Sequence, residues 1–125
     1  MSLSDHELVA FLATANPAES RRFYCDLLGL ALIEDSPFAL VLKTPNALIR
    51  IQKVQHVSPT PYTALGWTVP DIRAAATDLA AKGVHLERFP PMPQDDLAIW
   101  LSPSGAKVAW FKDPDNNLLS LTEFP

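Results

Sequence analysis

Leu8-Val9-Ala10-Phe11-Leu12-Ala13-Thr14-Ala15-Asn16-Pro17-Ala18-Glu19 is the stretch whose reading decides the fold. Leu8 to Ala13 is an apolar run short enough for a buried strand. Asn16 is a good helix N-cap, Pro17 suits the first helical position, and Glu19 completes a box-like start signal three residues after the cap. Phe23 with Leu27, and Tyr24 with Leu28, then stand at i,i+4 spacing and make one apolar stripe. Gly29 sits where a helix ends in a left-handed residue. Leu30 to Glu34, Phe38 to Lys43 and Ala47 to Val54 read as three strands, with Ser36-Pro37 and Thr44-Pro45-Asn46 as the turns between them.

The order is then replayed. Ala64 to Val69 reads as a strand, and Asp71 caps a helix in which Ile72, Ala75, Ala76 and Leu79 share a face. Gly83 ends it. Val84 to Phe89, Leu97 to Leu101, Ala106 to Phe111 and Leu118 to Glu123 supply strands, the last two joined by Asp113-Pro114-Asp115-Asn116-Asn117, a dense turn signal. Each half is read as strand, helix and three strands. The expectation is one domain over 1–125, with a first module at about 8–54, a second at about 64–124 and a linker over 55–63. Such internal self-similarity speaks to architecture rather than chemistry. Pro90-Pro91-Met92-Pro93, ahead of Gln94-Asp95-Asp96, reads as a stiff exposed loop, either at the rim of a site or a mere connector.

Composition narrows the function classes. The chain has 125 residues, 48% of them hydrophobic and 19% charged, and a net charge of -4. That is enough apolar matter for a core, and it argues against disorder. No Lys/Arg run offers an electrostatic footprint for nucleic acid, and no apolar run approaches the length of a membrane span. Cys25 is the one cysteine, so no intrachain disulfide forms, and a packed small residue is the more common role for a lone thiol. A polar N-terminus without an apolar signal core, together with this cysteine usage, points to a cytoplasmic protein.

Three motifs, met in order on the repeated pattern, resemble the vicinal oxygen chelate superfamily of glyoxalases, bleomycin resistance proteins and extradiol dioxygenases. They are Phe23-Tyr24-Cys25-Asp26-Leu27-Leu28-Gly29-Leu30, Val69-Pro70-Asp71-Ile72 with Leu79 and Gly83-Val84, and Asp113-Pro114-Asp115-Asn116-Asn117, which has Asn116 where the family usually has glycine. The resemblance implies an α+β fold of two βαβββ modules, a curved mixed sheet around a central cleft with helices on the convex side, and a homodimer. It also implies that metal-using members place ligands on the first and last strands of each half.

Counting by the family's spacing locates those positions. Seven residues before Asn16 and Asp71 stand Val9 and Ala64; seven after Asp113 stands Ser120; the looser match in the first half falls on Arg50. Val and Ala have no lone pair and Arg brings a positive charge, so the set does not suit a divalent metal. A register error would bring in His6 or Glu123, but a shift of three moves a strand residue to the opposite face. No metal and no other cofactor is expected.

Strand alternation assigns the cleft. Val9, Phe11 and Ala13, then Leu48, Arg50, Gln52 and Val54, then Ala64, Gly66 and Thr68, then Ser120 and Thr122 are expected to face it. Phe11, Arg50, Gln52, Thr68, Trp100, Ser120 and Thr122 are the candidate ligand-binding residues. Arg50 either takes a carboxylate or phosphate in its planar fork, or is a surface or rim arginine that snorkels to water or pairs with Asp95, Asp96 or Glu87. Phe38, Trp67, Trp100, Trp110 and Phe111 are aromatics able to line a site for a flat ligand, Trp67 having the parity of core packing. No Asp, Glu or His falls at an expected cleft position, so the catalytic residues, if any exist, are not assigned. The expected function is metal-free binding of a small organic ligand, aromatic or anionic. The alternatives are a metal-dependent lyase or dioxygenase, and a dimeric structural domain.

Overall fold

The computed structural model describes residues 2–125. The chain divides into two compact units, one up to Ser58 and one from Pro59 onward.

The first unit runs β1 (Leu8–Thr14), α1 (Pro17–Arg21), a π-helical segment (Arg22–Leu27), β2 (Ala31–Asp35), β3 (Ala39–Lys43) and β4 (Ala47–Lys53). Its sheet has the order β1-β4-β3-β2. β1 lies parallel to β4 and the other pairs are antiparallel. Ala10, Leu12 and Thr14 alternate with Val9 and Phe11. Leu12, Leu40, Leu42, Ile49 and Ile51 are buried with Phe23 and Tyr24, whereas Phe11 is 58% exposed. One face of the sheet therefore forms the core and the other is open.

The helix differs from the expected regular α-helix. It widens after Arg21, and the Leu28 N–H donates to the Phe23 carbonyl at 3.0 Å, a π-type bond. The wider turn changes the stripe: adjacent Phe23 and Tyr24 are the buried pair, in edge-to-face contact at 5.1 Å, while Leu27 and Leu28 are half-buried. The Asn16 side chain makes no capping hydrogen bond. Gly29 follows with φ +77°, the left-handed conformation its place in the sequence calls for.

The second unit runs β5 (Leu65–Thr68), α2 (Ile72–Ala81), β6 (Trp100–Leu101), β7 (Lys107–Lys112) and β8 (Leu118–Glu123), in a mixed sheet of order β5-β8-β7-β6. α2 packs on β7 and β8 through buried Ile72, Ala76 and Leu79. Asp71 accepts from the Ala74 N–H at 3.1 Å, the expected cap. Glu123 adds a second acceptor, taking the Ile72 N–H at 2.9 Å.

Two expected strands are corrected here. Val84 to Phe89 forms no strand, only an isolated bridge from Leu86 to Phe111, and Leu97 to Leu101 shrinks to Trp100–Leu101. Side chains replace the ladder in this stretch. The Gln94 carboxamide accepts from the Phe89 N–H at 2.7 Å and donates to the carbonyls of Glu87 and Ala98 at 3.0 and 2.8 Å. Asp95 Oδ1 accepts from the Leu97 and Ile99 N–H groups, both at 2.9 Å. Pro90, Pro91 and Pro93 carry no N–H, so a strand there would lack donors.

The turn between β7 and β8 is built on buried Asp113. Its Oδ1 accepts from the N–H groups of Asp115 and Asn117, and its Oδ2 from the Asn117 side chain at 2.8 Å. Asn116 has φ +67°, a conformation that Asn tolerates better than most non-glycine residues. That explains how it stands where a glycine is usual.

Candidate functional site

Each unit leaves one sheet face open, and the strand registers list what that face carries. In the first unit Phe11, Arg50, Val41 and Glu34 form a row across the four strands. Phe11 and Val41 flank the Arg50 stem directly. Arg50 is half-buried and, among the described residues of its own unit, meets no carboxylate. Within the second unit, Asp95 and Asp96 hold Arg73 at 3.0 and 3.3 Å, and Glu87 lies 3.8 Å from both His85 and Lys112. A half-buried guanidinium next to an aromatic ring is a ready anchor for an anionic group. Gln52, the next open-face residue on β4, stands beside Ala13 and Ala39 and is exposed.

In the second unit one row reads Thr68, Thr122, Val108, Trp100 and the next reads Gly66, Ser120, Trp110. Leu119, Leu121, Ala109 and Phe111 alternate with these and are buried on the helix side. Trp67 stacks on Phe111 at 6.3 Å, so both belong to the core, and Phe111 is corrected from a site-lining aromatic to a core residue. Phe38 lies in the turn before β3 and is exposed. Trp100 and Trp110 meet at 6.1 Å, and Phe89 sets its edge against Trp110 at 5.5 Å. The Trp110 indole N–H donates to Thr63 Oγ1 at 3.2 Å. Trp110 is thus held by two rings and a hydrogen bond, which leaves a preorganised aromatic platform. Strand parity alone points to Trp110 as well as to Trp100; its neighbours Phe89 and Thr63 carry no sequence signal for that role.

Ser120 is only 9% exposed. Its hydroxyl occupies the space that a side chain at position 66 would fill, since a Cβ on Gly66 would collide with Ser120 Oγ. Among the described residues, the hydroxyls of Thr68, Ser120 and Thr122 make no hydrogen bond to another side chain or backbone group. Of these hydroxyl residues Ser120 pairs directly with Trp110, while Thr68 and Thr122 share a row with Trp100.

The four positions that the family spacing singles out stand on β1 (Val9), on β4 (Arg50), just before β5 (Ala64) and on β8 (Ser120). Two alkyl groups, a guanidinium and a neutral hydroxyl do not fit a divalent cation. The two register alternatives are otherwise engaged or placed. Glu123 lies on the face opposite Ser120, capping α2 and facing Lys107 at 3.7 Å. His6 precedes β1 and is exposed. No group of three His, Cys, Asp or Glu residues able to hold a metal ion occurs among the described residues.

The family model for the glyoxalase/bleomycin resistance protein/dioxygenase superfamily matches residues 6–121. The chain belongs to this superfamily. Solved structures agree in fold. TnmS3, an antibiotic binding protein from Streptomyces sp. CB03234, superposes with a TM-score of 0.76 at 19% identity, covering 100% of both chains. A superfamily member from Sphaerobacter thermophilus DSM 20745 gives 0.76 at 20% identity, covering 98% of this chain and 99% of its own. A lactoylglutathione lyase from Agrobacterium tumefaciens gives 0.73 at 15% identity, covering 98% and 96%. At these identities the superpositions speak to the fold alone. No curated protein gives a significant match. Among the described residues no helix is long and apolar enough to cross a membrane.

Proposed function

We propose that this superfamily member binds a small organic ligand without a metal, and that the open face of the second unit is a principal recognition surface. The observation that carries the reading is the conjunction on one face of Trp100 and Trp110 with the unused hydroxyls of Thr68, Ser120 and Thr122. An aromatic platform beside a few convergent polar groups is how small-molecule sites combine affinity with orientation. The ligand class is a planar aromatic. On the first unit's own open face, Arg50, with Phe11 beside it and Gln52 further along β4, is a group suited to an anion. The antibiotic binding of TnmS3 shows that this fold supports binding; extending it to this chain is part of the proposal. Metal independence rests on the donor chemistry of Val9, Arg50, Ala64 and Ser120. We place the protein in the cytoplasm on the strength of its single unpaired cysteine.

Tryptophan fluorescence titrated with a panel of planar aromatic compounds tests the reading. The expected result is saturable quenching by at least one compound, weakened about tenfold by Trp100→Ala. A flat response across the panel overturns it. Melting with and without Zn²⁺, Mn²⁺, Ni²⁺ or Fe²⁺ is expected to give the same midpoint; a concentration-dependent rise with any of these would reject metal independence.

A further inference from the structure

The linker reading of residues 55–63 leaves a feature unused. Pro59, where the second unit begins, and the residues after it wall a pocket of about 370 Å³ against the β7–β8 hairpin. Pro61, Phe89 and Leu118 provide apolar lining, and Thr60, Asn116 and Lys112 provide polar groups. Lys112 and Leu118 are register partners on the open face of the sheet, one row beyond Ser120 and Trp110. Phe89 reaches the same ring cluster through its edge contact with Trp110.

We propose that this pocket is a distinct binding site for a compact aryl anion, one ring bearing a carboxylate, with Lys112 as the anion anchor. The volume lies at the lower end of the range for small-ligand sites and suits a single substituted ring. Ring recognition falls to Pro61, Phe89 and Leu118. Charge selection falls to Lys112, whose ammonium among the described residues faces the Glu87 carboxylate at 3.8 Å. That separation is too long for a hydrogen bond, so the ammonium keeps its donors for an incoming carboxylate. Thr60 is tied to the backbone of its own segment, its hydroxyl donating to the Tyr62 carbonyl at 3.1 Å. The Trp110 indole is tied to Thr63, so an occupant touching the segment is reported at that indole. The site goes beyond the function proposed above, because it uses neither the three hydroxyls nor Trp100.

The test is a ¹⁵N NMR titration of the full chain with benzoate and, separately, with its neutral near-isostere benzamide. Benzoate is expected to shift the amides of Thr60, Lys112, Asn116 and Leu118 and the Trp110 indole, and to bind about tenfold or more tighter than benzamide. Lys112→Gln is expected to remove that preference. Glu87→Gln, which lifts a competing charge, is expected to strengthen benzoate binding, a gain that a folding defect would not produce. Equal affinity for the two probes, or no shift at these positions up to the solubility limit of benzoate, overturns the proposal. Shifts confined to Thr68, Ser120 and Thr122 also overturn it while leaving the aromatic-face reading intact. Shifts confined to the pocket support it and count against that face.

Discussion

Asp113 is the residue on which the second unit's hairpin depends most directly. Its buried carboxylate receives three hydrogen bonds within the turn. Asp113→Ala would leave the backbone N–H groups of Asp115 and Asn117 unanswered, and a loss of about 2–4 kcal/mol is expected in urea unfolding. A loss below about 0.5 kcal/mol would mean the turn finds other acceptors. Gly66 makes a second residue-level case. Gly66→Ala forces the Ser120 hydroxyl out of its place, so weaker ligand binding is expected with only a modest loss of stability; unchanged affinity would remove Ser120 from the site. Both Asp113 and Gly66 are legible in the sequence, the first through its turn motif and the second through strand parity. The Ser120 hydroxyl resting over Gly66 was not, because it depends on the pairing of two strands far apart in the chain.

At the scale of elements, the parts set by local periodicity were legible and those set by side-chain hydrogen bonding were not. β1, β4, β7, β8 and α2 follow apolar alternation, helical spacing and the Asp71 cap. The π-helical turn after Arg21 does not, since its i→i+5 bonding leaves no local composition signal. Nor does the stretch from Val84 to Ile99, where Gln94 and Asp95 take over backbone pairing. Gln94→Ala is expected to cost about 1–3 kcal/mol and to speed hydrogen exchange at Phe89 and its neighbours; protection equal to that of the unaltered chain would show that the loop holds itself.

The edge of the first sheet is expected to respond to pH. Asp35 on β2 accepts hydrogen bonds from Lys53 and from Arg21, at 2.9 Å for the latter. Its pKa is held below the ordinary carboxylate value, first by the Lys53 hydrogen bond. A depressed folded-state pKa contributes stability that is present above the unfolded value, about 3.9, and fades as pH falls through the folded one. Thermal midpoints taken from neutral pH down to that acid range should therefore fall less steeply in Lys53→Met than in the unaltered chain. Parallel curves would sink the assignment.

On the scale of the whole molecule, the repeated order of elements was the clearest message in the sequence, and the family match over residues 6–121 agrees with it. The function was the least legible part, because the positions that the family spacing singles out, Val9, Arg50, Ala64 and Ser120, carry no metal-binding chemistry. We also propose that copies of the chain pair. β1 is an edge strand of its sheet, and Leu8 and Phe11 on it are exposed, an arrangement that free monomers commonly avoid. Sedimentation equilibrium is expected to return twice the 13.7 kDa chain mass, falling to a single chain with Leu8→Glu. A single-chain mass for the unaltered protein would reject pairing.

The unused hydroxyls have an evolutionary consequence. Among the described residues the hydroxyls of Thr68, Ser120 and Thr122 bond to no other protein group, whereas the side chains of Asp71, Gln94, Asp113 and Glu123 each tie down backbone. The residues proposed to choose a ligand are thus separate from those whose side chains maintain the fold. Substitutions on the open face are free to drift in specificity while the scaffold stays intact. A scaffold divided in this way can lose one chemistry and take up another without passing through an unfolded intermediate sequence.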